Sequence, residues 1–160
     1  MFTVDDILRD KRDTRIITLR MHETVADAVL VMKRENISSV IVTDVCRTEG
    51  STVMGVFSER DVVRALLAHG ASTSKMVLAA LMKRDVISCR GDDSLVTVLR
   101  LMDEHQVRHL PVMQDFALVG VISATDLMRH FLREAEAAAM RDPAHAEMAL
   151  QMGAHISLMR

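Results

Sequence analysis

The sequence predicts an α+β fold made of two copies of one β-α-β-β-α unit, with the strand–helix alternation that α/β folds also show. Apolar segments recur at a fixed spacing along the chain, which indicates an internal duplication. Short β-rich runs alternate with amphipathic helical patterns in both copies. The chain has 160 residues, of which 49% are hydrophobic and 26% charged, as is typical of a folded protein with a domain-sized core.

The internal duplication is defined by segments that align at two offsets. Most of each copy aligns at an offset of 70 residues, and a Gly-x-hydrophobic-Ser-x-x-Asp motif aligns at an offset of 65. The first copy therefore carries five extra residues, which we place in the polar turn around residues 47–51. The matched segments are 16–18 with 86–88, 24–42 with 94–112, and 55–61 with 120–126.

The pattern of apolar residues in each copy predicts a strand, a helix, two strands and a second helix, in that order. The first strands are 16–18 and 86–88. The first helices begin at Thr24 and Ser94, both good N-cap residues, and apolar residues follow at i, i+3, i+4, i+7 spacing. The second helices begin near Ser58 and Ser123, and Gly70 is a good stop for the earlier one. The predicted strand pairs are 40–42 with 53–57, and 110–113 with 118–122.

The domain organisation follows from the repeats. We predict a first repeat at 1–71, a second repeat at 72–133 that opens with a linker helix at 72–83, and a helical tail at 134–160. The tail begins with an Ala/Glu-rich run that favours helix as far as Asp142-Pro143, and a second short helix follows. The pattern does not distinguish a tail that packs on a partner from a solvated helix.

Composition and charge argue against several function classes. The net charge of -2 gives no basic surface for nucleic acid, and a chain without Trp or Tyr lacks a platform for stacked bases. The longest apolar run, 76–82, is far shorter than the roughly 18 residues of a membrane span. The first ten residues carry acids where a signal peptide is basic, and the two cysteines have no CxxC spacing. We therefore expect a cytoplasmic protein with no nucleic-acid partner and no membrane span.

The Gly-x-hydrophobic-Ser-x-x-Asp motif has two interpretations that share one geometry. In the first, the serine is a helix N-cap and the aspartate three residues later completes a capping box. In the second, the exposed helix N-terminus attracts a phosphate group, and Ser58 or Ser123 adds a hydroxyl donor. Asp61 or Asp126 would then accept hydrogen bonds from ribose hydroxyls, as acidic residues do in other nucleotide sites. The two interpretations are compatible.

The tandem repeat with its paired motifs resembles a CBS-domain pair (the cystathionine β-synthase domain family, or Bateman module) of the stand-alone bacterial type. The resemblance covers roughly residues 3–132. It implies that the two copies pack through their sheets about a pseudo-twofold axis and leave two clefts for adenosine-type ligands. It also implies that the motif aspartates hold ribose, that the motif serines lie near phosphate, and that groups around Thr18 and Ser88 flank the adenine.

The resemblance also gives a role to Arg108 and His109, which precede Pro111 in the second copy. In nucleotide-sensing members of the family a basic pair at this place reaches the phosphates. Arg108 can bind phosphate through two hydrogen bonds, and His109 adds a donor whose charge depends on pH. The alternative is a solvated arginine beside a partly buried histidine.

The first copy departs from this pattern because it has Ser38 and Ser39 at the matching positions, which makes the two clefts chemically unequal. Arg60 is an alternative phosphate partner there. The complete set of candidate nucleotide-binding residues is Thr18, Ser39, Ser58, Arg60, Asp61, Ser88, Arg108, His109, Pro111, Ser123, Thr125 and Asp126.

These features predict a stand-alone regulatory module that binds an adenine nucleotide or adenosyl ligand and signals to an unidentified protein. AMP, ADP, ATP, NAD(H) and S-adenosylmethionine all remain candidates. We expect a homodimer and no covalently bound cofactor. The alternative is a ligand-free scaffold for protein interactions, whose Ser-x-x-Asp motifs only cap helices.

An enzyme is the least supported class, and we predict no catalytic and no metal-binding residues. His105 and His109 stand four apart, but the predicted structure changes from helix to strand between them. Cys46 and Cys89 lack a defensible pairing with a histidine and an Asp or Asn. The sequence also has no phosphate-binding loop with a lysine.

Overall fold

A computed structural model describes residues 2–46 and 50–141 of the chain. The predicted turn at 47–49 and the part of the tail beyond 141 lie outside the described residues. No helix in the described ranges combines the length and the apolar character that a bilayer crossing needs. The helices are α1 (Val4–Asp10), α2 (Val25–Glu35), α3 (Glu59–His69), α4 (Leu78–Leu81), α5 (Leu95–Glu104) and α6 (Ala124–Ala139), with a 3-10 helix at Gly70–Lys75. The strands are β1 (Thr18–Arg20), β2 (Ser39–Cys46), β3 (Gly50–Ser58), β4 (His109–Gln114) and β5 (Ala117–Ser123).

The strands form two separate sheets. In the first sheet β1 pairs parallel with β2, and β2 pairs antiparallel with β3. The second sheet contains β4 and β5, joined by a tight turn in which Asp115 and Phe116 both have positive φ. The β2–β3 ladder runs from Ser39 opposite Ser58 to Cys46 opposite Gly50.

The chain divides into two compact units that do not follow the order of the repeats. We call residues 16–86 with 116–118 the first-repeat unit, and residues 2–15, 87–115 and 119–141 the second-repeat unit. The predicted boundaries put residues 1–15 with the first repeat and 72–86 with the second. The structure groups each of these segments with the other repeat, and the predicted linker helix at 72–83 is a 3-10 turn followed by the single-turn helix α4.

The first-repeat unit is organised around β2 and β3. Thr24 caps α2 in a capping box with Asp27, and α2 turns its apolar side onto the sheet because apolar residues repeat at helical spacing. Asn36 ends α2 in the left-handed conformation. The buried core of the unit contains Leu19, Val25, Ala28, Met32, Val40, Val42, Phe57, Leu78 and Met82.

The second-repeat unit repeats this plan with one strand fewer. Ser94 caps α5, as the sequence predicts, and Ser123 caps the longer helix α6. The buried core contains Val4, Ile7, Cys89, Leu95, Val98, Leu99, Met102, Leu110, Val112, Ile122, Ala124, Leu127 and Phe131.

The predicted strands at 16–18 and 86–88 are displaced or absent. In the first repeat the strand covers Thr18–Arg20, whereas in the second repeat Cys89 makes one parallel bridge with Val112. Cys89 donates its N–H to the Pro111 carbonyl and accepts from the Met113 N–H. The next rung of a parallel ladder would need an N–H from Pro111, which proline lacks. Pro111 therefore ends the ladder before it reaches residues 86–88.

Each unit also contains a short helix at an equivalent place. In the second-repeat unit the N–H groups of Val4 and Asp5 donate to the carbonyls of Asp93 and Gly91 over 3.1 and 2.9 Å. In the first-repeat unit α4 makes the matching contacts with the first repeat, which are Leu78 N–H to Glu23 O at 2.8 Å and Ala79 N–H to Met21 O at 3.0 Å. The helices α1 and α4 therefore correspond to each other, although α1 lies at the start of the chain. The sequence analysis did not predict α1.

The motif glycines lie against different parts of these short helices, Gly55 against residues that follow α4 and Gly120 against Leu8 within α1, and we expect them to tolerate alanine differently. A Cβ at Gly55 would stand 2.6 Å from the Lys83 backbone oxygen and 2.8 Å from the Met82 sulfur, whereas at Gly120 it would meet Cδ1 of Leu8 at 2.8 Å. Gly55→Ala should lower the free energy of unfolding by about 1–3 kcal/mol, as overpacking does. Gly120→Ala should cost less because the end of a leucine side chain can rotate away. Chemical denaturation measures both, and a larger loss at Gly120 would contradict this account.

Candidate functional site

The candidate site lies where β5 leads into α6. The Ser123 hydroxyl accepts the Asp126 N–H at 3.1 Å and donates to Asp126 Oδ2 at 2.7 Å, while the Ser123 N–H donates to the same oxygen at 2.9 Å. The capping interpretation of the motif is therefore confirmed. The cap also fixes the position of a buried carboxylate, because two hydrogen bonds from Ser123 connect the carboxylate to the helix start.

The first copy of the motif has the same geometry. Ser58 donates its N–H and its hydroxyl to Asp61 Oδ2 at 2.9 and 2.7 Å, and Asp61 is also buried. The second carboxylate oxygen differs between the copies. Asp61 Oδ1 meets a guanidinium nitrogen of Arg64 at 3.4 Å, whereas no described residue donates a hydrogen bond to Asp126 Oδ1. The second copy therefore keeps one carboxylate oxygen available to a ligand.

The basic pair of the second copy lies beside the start of α6. The N–H of Ala124 donates to the Arg108 carbonyl at 2.9 Å, which joins the start of β4 to the N-terminus of the helix. Burial, followed by the charge of Arg108, lowers the pKa of His109 to about 4, while Asp126 acts in the opposite direction. His109 is therefore neutral at pH 7. The low pKa therefore favours the second possibility given in the sequence analysis, in which His109 is partly buried.

The matching connection in the first repeat has no basic side chain. The N–H of Glu59 donates to the Ser38 carbonyl at 3.0 Å, and Ser39 lies opposite Ser58 in the β2–β3 ladder. Serines therefore line the start of α3 in the first-repeat unit, whereas Arg108 and His109 line the start of α6 in the second-repeat unit. This is the chemical inequality that the sequence predicts.

Lys11, just after α1, is a site residue that the sequence analysis missed. Its ammonium donates to Asp126 Oδ2 at 3.0 Å and to the Val121 carbonyl at 3.0 Å. The Lys11 side chain is 26% exposed and that of Asp126 9%. The contact spans 115 residues of sequence. The signal that indicates it is the apolar pattern shared by Val4, Ile7 and Leu8 with 78–82, which marks α1 and α4 as equivalent.

A small cavity adjoins this lysine. It has a volume of about 50 Å³ and is lined by residues from 8–15 and 119–121. Two of the lining residues, Asp13 and Arg15, form an ion pair with a distance of 2.8 Å. Pockets for drug-sized ligands usually measure about 300–1,000 Å³, so this cavity admits only a small part of a nucleotide as it stands.

The other predicted residues lie at varied positions. Thr18 and Ser88 are exposed, and their role beside an adenine stays a prediction. Thr18 is the first residue of β1 and lies opposite Ile41 of β2, whereas Ser88 precedes Cys89, which pairs with Val112 of β4. Arg60 and Thr125 are exposed in the first turns of α3 and α6, and Pro111 is buried in β4. The structure brings Arg108, His109, Ser123 and Asp126 together at one helix start, and Ser39, Ser58 and Asp61 at the other.

Cys89 is unsuited to nucleophilic chemistry. Burial, aided by the charge of Asp93, raises the pKa of its thiol to about 12. A thiol with this pKa stays protonated at neutral pH, and the thiolate is the reactive form.

Comparison with known proteins decides the family. Residues 4–68 and 78–133 match the family model described as the CBS domain. The chain belongs to the CBS-domain family. The two matched ranges fall within the repeats predicted at 1–71 and 72–133, and CBS domains generally serve as regulatory, non-catalytic modules.

Three relatives illustrate the likeness of this CBS pair to known proteins. The mitochondrial CBS domain-containing protein CBSX3 of Arabidopsis thaliana is 26% identical to this chain. The alignment covers 82% of this chain and 66% of that protein. The CBS-domain containing protein ATU1752 of Agrobacterium tumefaciens is 28% identical with a TM-score of 0.73, over 79% of this chain and 91% of that one. The CBS domain pair of protein MJ0100, solved in complex with 5-methylthioadenosine and S-adenosyl-L-methionine, is 23% identical, covers 84% and 98% of the two chains and has a TM-score of 0.70. The last likeness concerns the fold alone.

Proposed function

We propose that this CBS pair binds an adenine nucleotide or another adenosyl ligand and regulates a partner protein in response. The observation that carries the proposal is the buried carboxylate of Asp126, held at the start of α6 with one oxygen available. A carboxylate in this position can accept hydrogen bonds from the two hydroxyls of a ribose. The partial positive charge of the α6 N-terminus favours a phosphate group next to it.

The surrounding residues support a ligand that carries phosphate. The guanidinium of Arg108 can bind a phosphate through two hydrogen bonds. His109, neutral at pH 7, can donate one more hydrogen bond without adding charge. AMP, ADP, ATP and NAD(H) meet this description, and S-adenosylmethionine meets only the part that concerns the ribose. The complex of MJ0100 with two adenosyl compounds is an example of the fold holding such ligands.

Regulation of a partner requires a ligand-dependent change in shape or assembly. The exposed side of α3 carries Val63, Leu66 and Leu67 at i, i+3, i+4 spacing. This apolar stripe supports the homodimer predicted from the family resemblance, because burying it removes apolar surface from water. The regulated protein remains unidentified.

Thermal unfolding with AMP, ADP, ATP, NAD(H) and S-adenosylmethionine tests the proposal. A ligand at 100 times its Kd should stabilise the protein by about 2.7 kcal/mol and raise Tm by several degrees. We expect a shift with at least one ligand, lost in Asp126→Asn and kept in Asp103→Asn, which changes an exposed aspartate on α5. Asparagine keeps the size of the aspartate side chain and removes its charge.

The second candidate function is a ligand-free scaffold for protein interactions. Complete capping boxes at both motif copies favour it, because each aspartate has a structural role without any ligand. If no ligand shifts the Tm of the wild-type protein, the scaffold function replaces our proposal.

A further inference from the structure

The outer edges of β3 and β5 are closed in different ways in the two units. In the first-repeat unit Val56 exchanges two backbone hydrogen bonds with Lys83, of 2.9 and 3.0 Å. Val121 is the matching residue in the second-repeat unit, and its carbonyl accepts from the Lys11 ammonium. A backbone pair closes the first edge, whereas one long side chain closes the second.

The same ammonium neutralises the carboxylate that the proposed function assigns to ribose. Asp126 Oδ2 accepts from the Ser123 N–H, the Ser123 hydroxyl and Lys11 Nζ. A ribose diol that binds both carboxylate oxygens must displace the lysine ammonium from Oδ2, since only Oδ1 lacks a donor among the described residues.

We propose that Lys11 is a built-in competitor of the adenosyl ligand in the second-repeat unit. In the ligand-free protein its ammonium binds the Asp126 carboxylate. A ligand displaces the ammonium, and residues 11–15 then separate from β5. The inference rests on the proposed function, since it concerns how that site is regulated. Lys11 suits this role because its four-carbon stem is flexible and its side chain is partly exposed.

This arrangement connects the ligand to the start of the chain. Lys11 follows α1, and α1 is anchored to the loop before α5 by the hydrogen bonds of Val4 and Asp5. A ligand that binds only when Lys11 has moved shifts the population towards the released segment. The released segment 11–15 is then the signal that a partner protein can detect.

Calorimetric titration with adenosine and AMP tests the inference on Lys11→Met, which keeps the stem and removes the charge. Adenosine has the diol without phosphate, so it isolates competition at Asp126. Its Kd should fall by about 3- to 10-fold in Lys11→Met, because the binding-competent fraction rises. The matched control is Arg12→Met, which removes a charge from the exposed neighbouring residue and should leave the Kd of adenosine within about twofold.

A second measurement follows the segment itself. Trypsin cleavage after Arg12 and Arg15 should accelerate when saturating AMP is added to the wild-type protein, and it should be fast in Lys11→Met without ligand. If adenosine and AMP bind the wild type with a Kd equal to or lower than that of Lys11→Met, the competitor role is wrong and the proposed function stands. If neither probe binds either protein, both the proposed function and this inference fail.

Discussion

Replacing Phe57 with alanine should lower the free energy of unfolding by about 3–5 kcal/mol. Phe57 is the largest fully buried side chain of the first-repeat unit. It lies on β3, one residue before the cap of α3, where the sheet meets the core residues of α2 and α4. Alanine there loses the transfer free energy of the ring and leaves a cavity that the neighbouring strands cannot close.

Urea denaturation followed by far-ultraviolet circular dichroism measures this loss. The matched control is Leu30→Ala on α2, because Leu30 is 66% exposed and lies outside the apolar stripe of α3. A surface substitution of this kind should change the free energy of unfolding by about 0.5 kcal/mol or less. Similar losses for the two variants would show that Phe57 does not contribute to the core as described.

Stability should also fall as the pH drops from about 6.5 to about 4, with His109 as a main cause. Its pKa is about 4 in the folded protein, against an ordinary value of 6.5. In this window the unfolded chain binds a proton that the folded protein does not, so acid favours unfolding. Above the ordinary pKa both states are neutral, and the contribution of His109 to stability is fully present. One group with this shift accounts for about 3 kcal/mol over the whole window.

The variant His109→Gln isolates this effect, because glutamine does not titrate. The difference in unfolding free energy between pH 7.5 and pH 5 should be smaller in the variant than in the wild type. Burial also lowers the pKa of His130, so part of the pH dependence should persist in the variant. If the unfolding free energy changes equally with pH in the two proteins, His109 protonates in the folded state as readily as in the unfolded chain.

The parts of the fold that the sequence predicted well depend on local patterns. Capping boxes such as Thr24 with Asp27 and Ser58 with Asp61 involve residues three apart, so a short stretch contains all the information. The strand pairs β2–β3 and β4–β5 are neighbours in sequence with a turn between them, and this is why both were found. The candidate site was therefore predictable as far as Ser123, Asp126 and their counterparts.

The parts that were missed depend on contacts between distant segments. The helix α1 is seven residues long, and its position on the second repeat depends on hydrogen bonds to Asp93 and Gly91. Helices this short are marginal on their own, so their placement is decided by tertiary contacts. Lys11 was missed for the same reason. The strand at 86–88 was wrongly predicted because the effect of Pro111 acts across strands and not along them.

The placement of α1 has a consequence for the order in which the protein forms during synthesis. The first-repeat unit is almost one continuous stretch, residues 16–86. It can acquire most of its structure while the ribosome is still producing the second repeat. The residues of α1 emerge before this unit, and the segment that contains them must wait for a docking surface that is completed more than a hundred residues later. We therefore expect closure of this long loop to be a late and comparatively slow folding event.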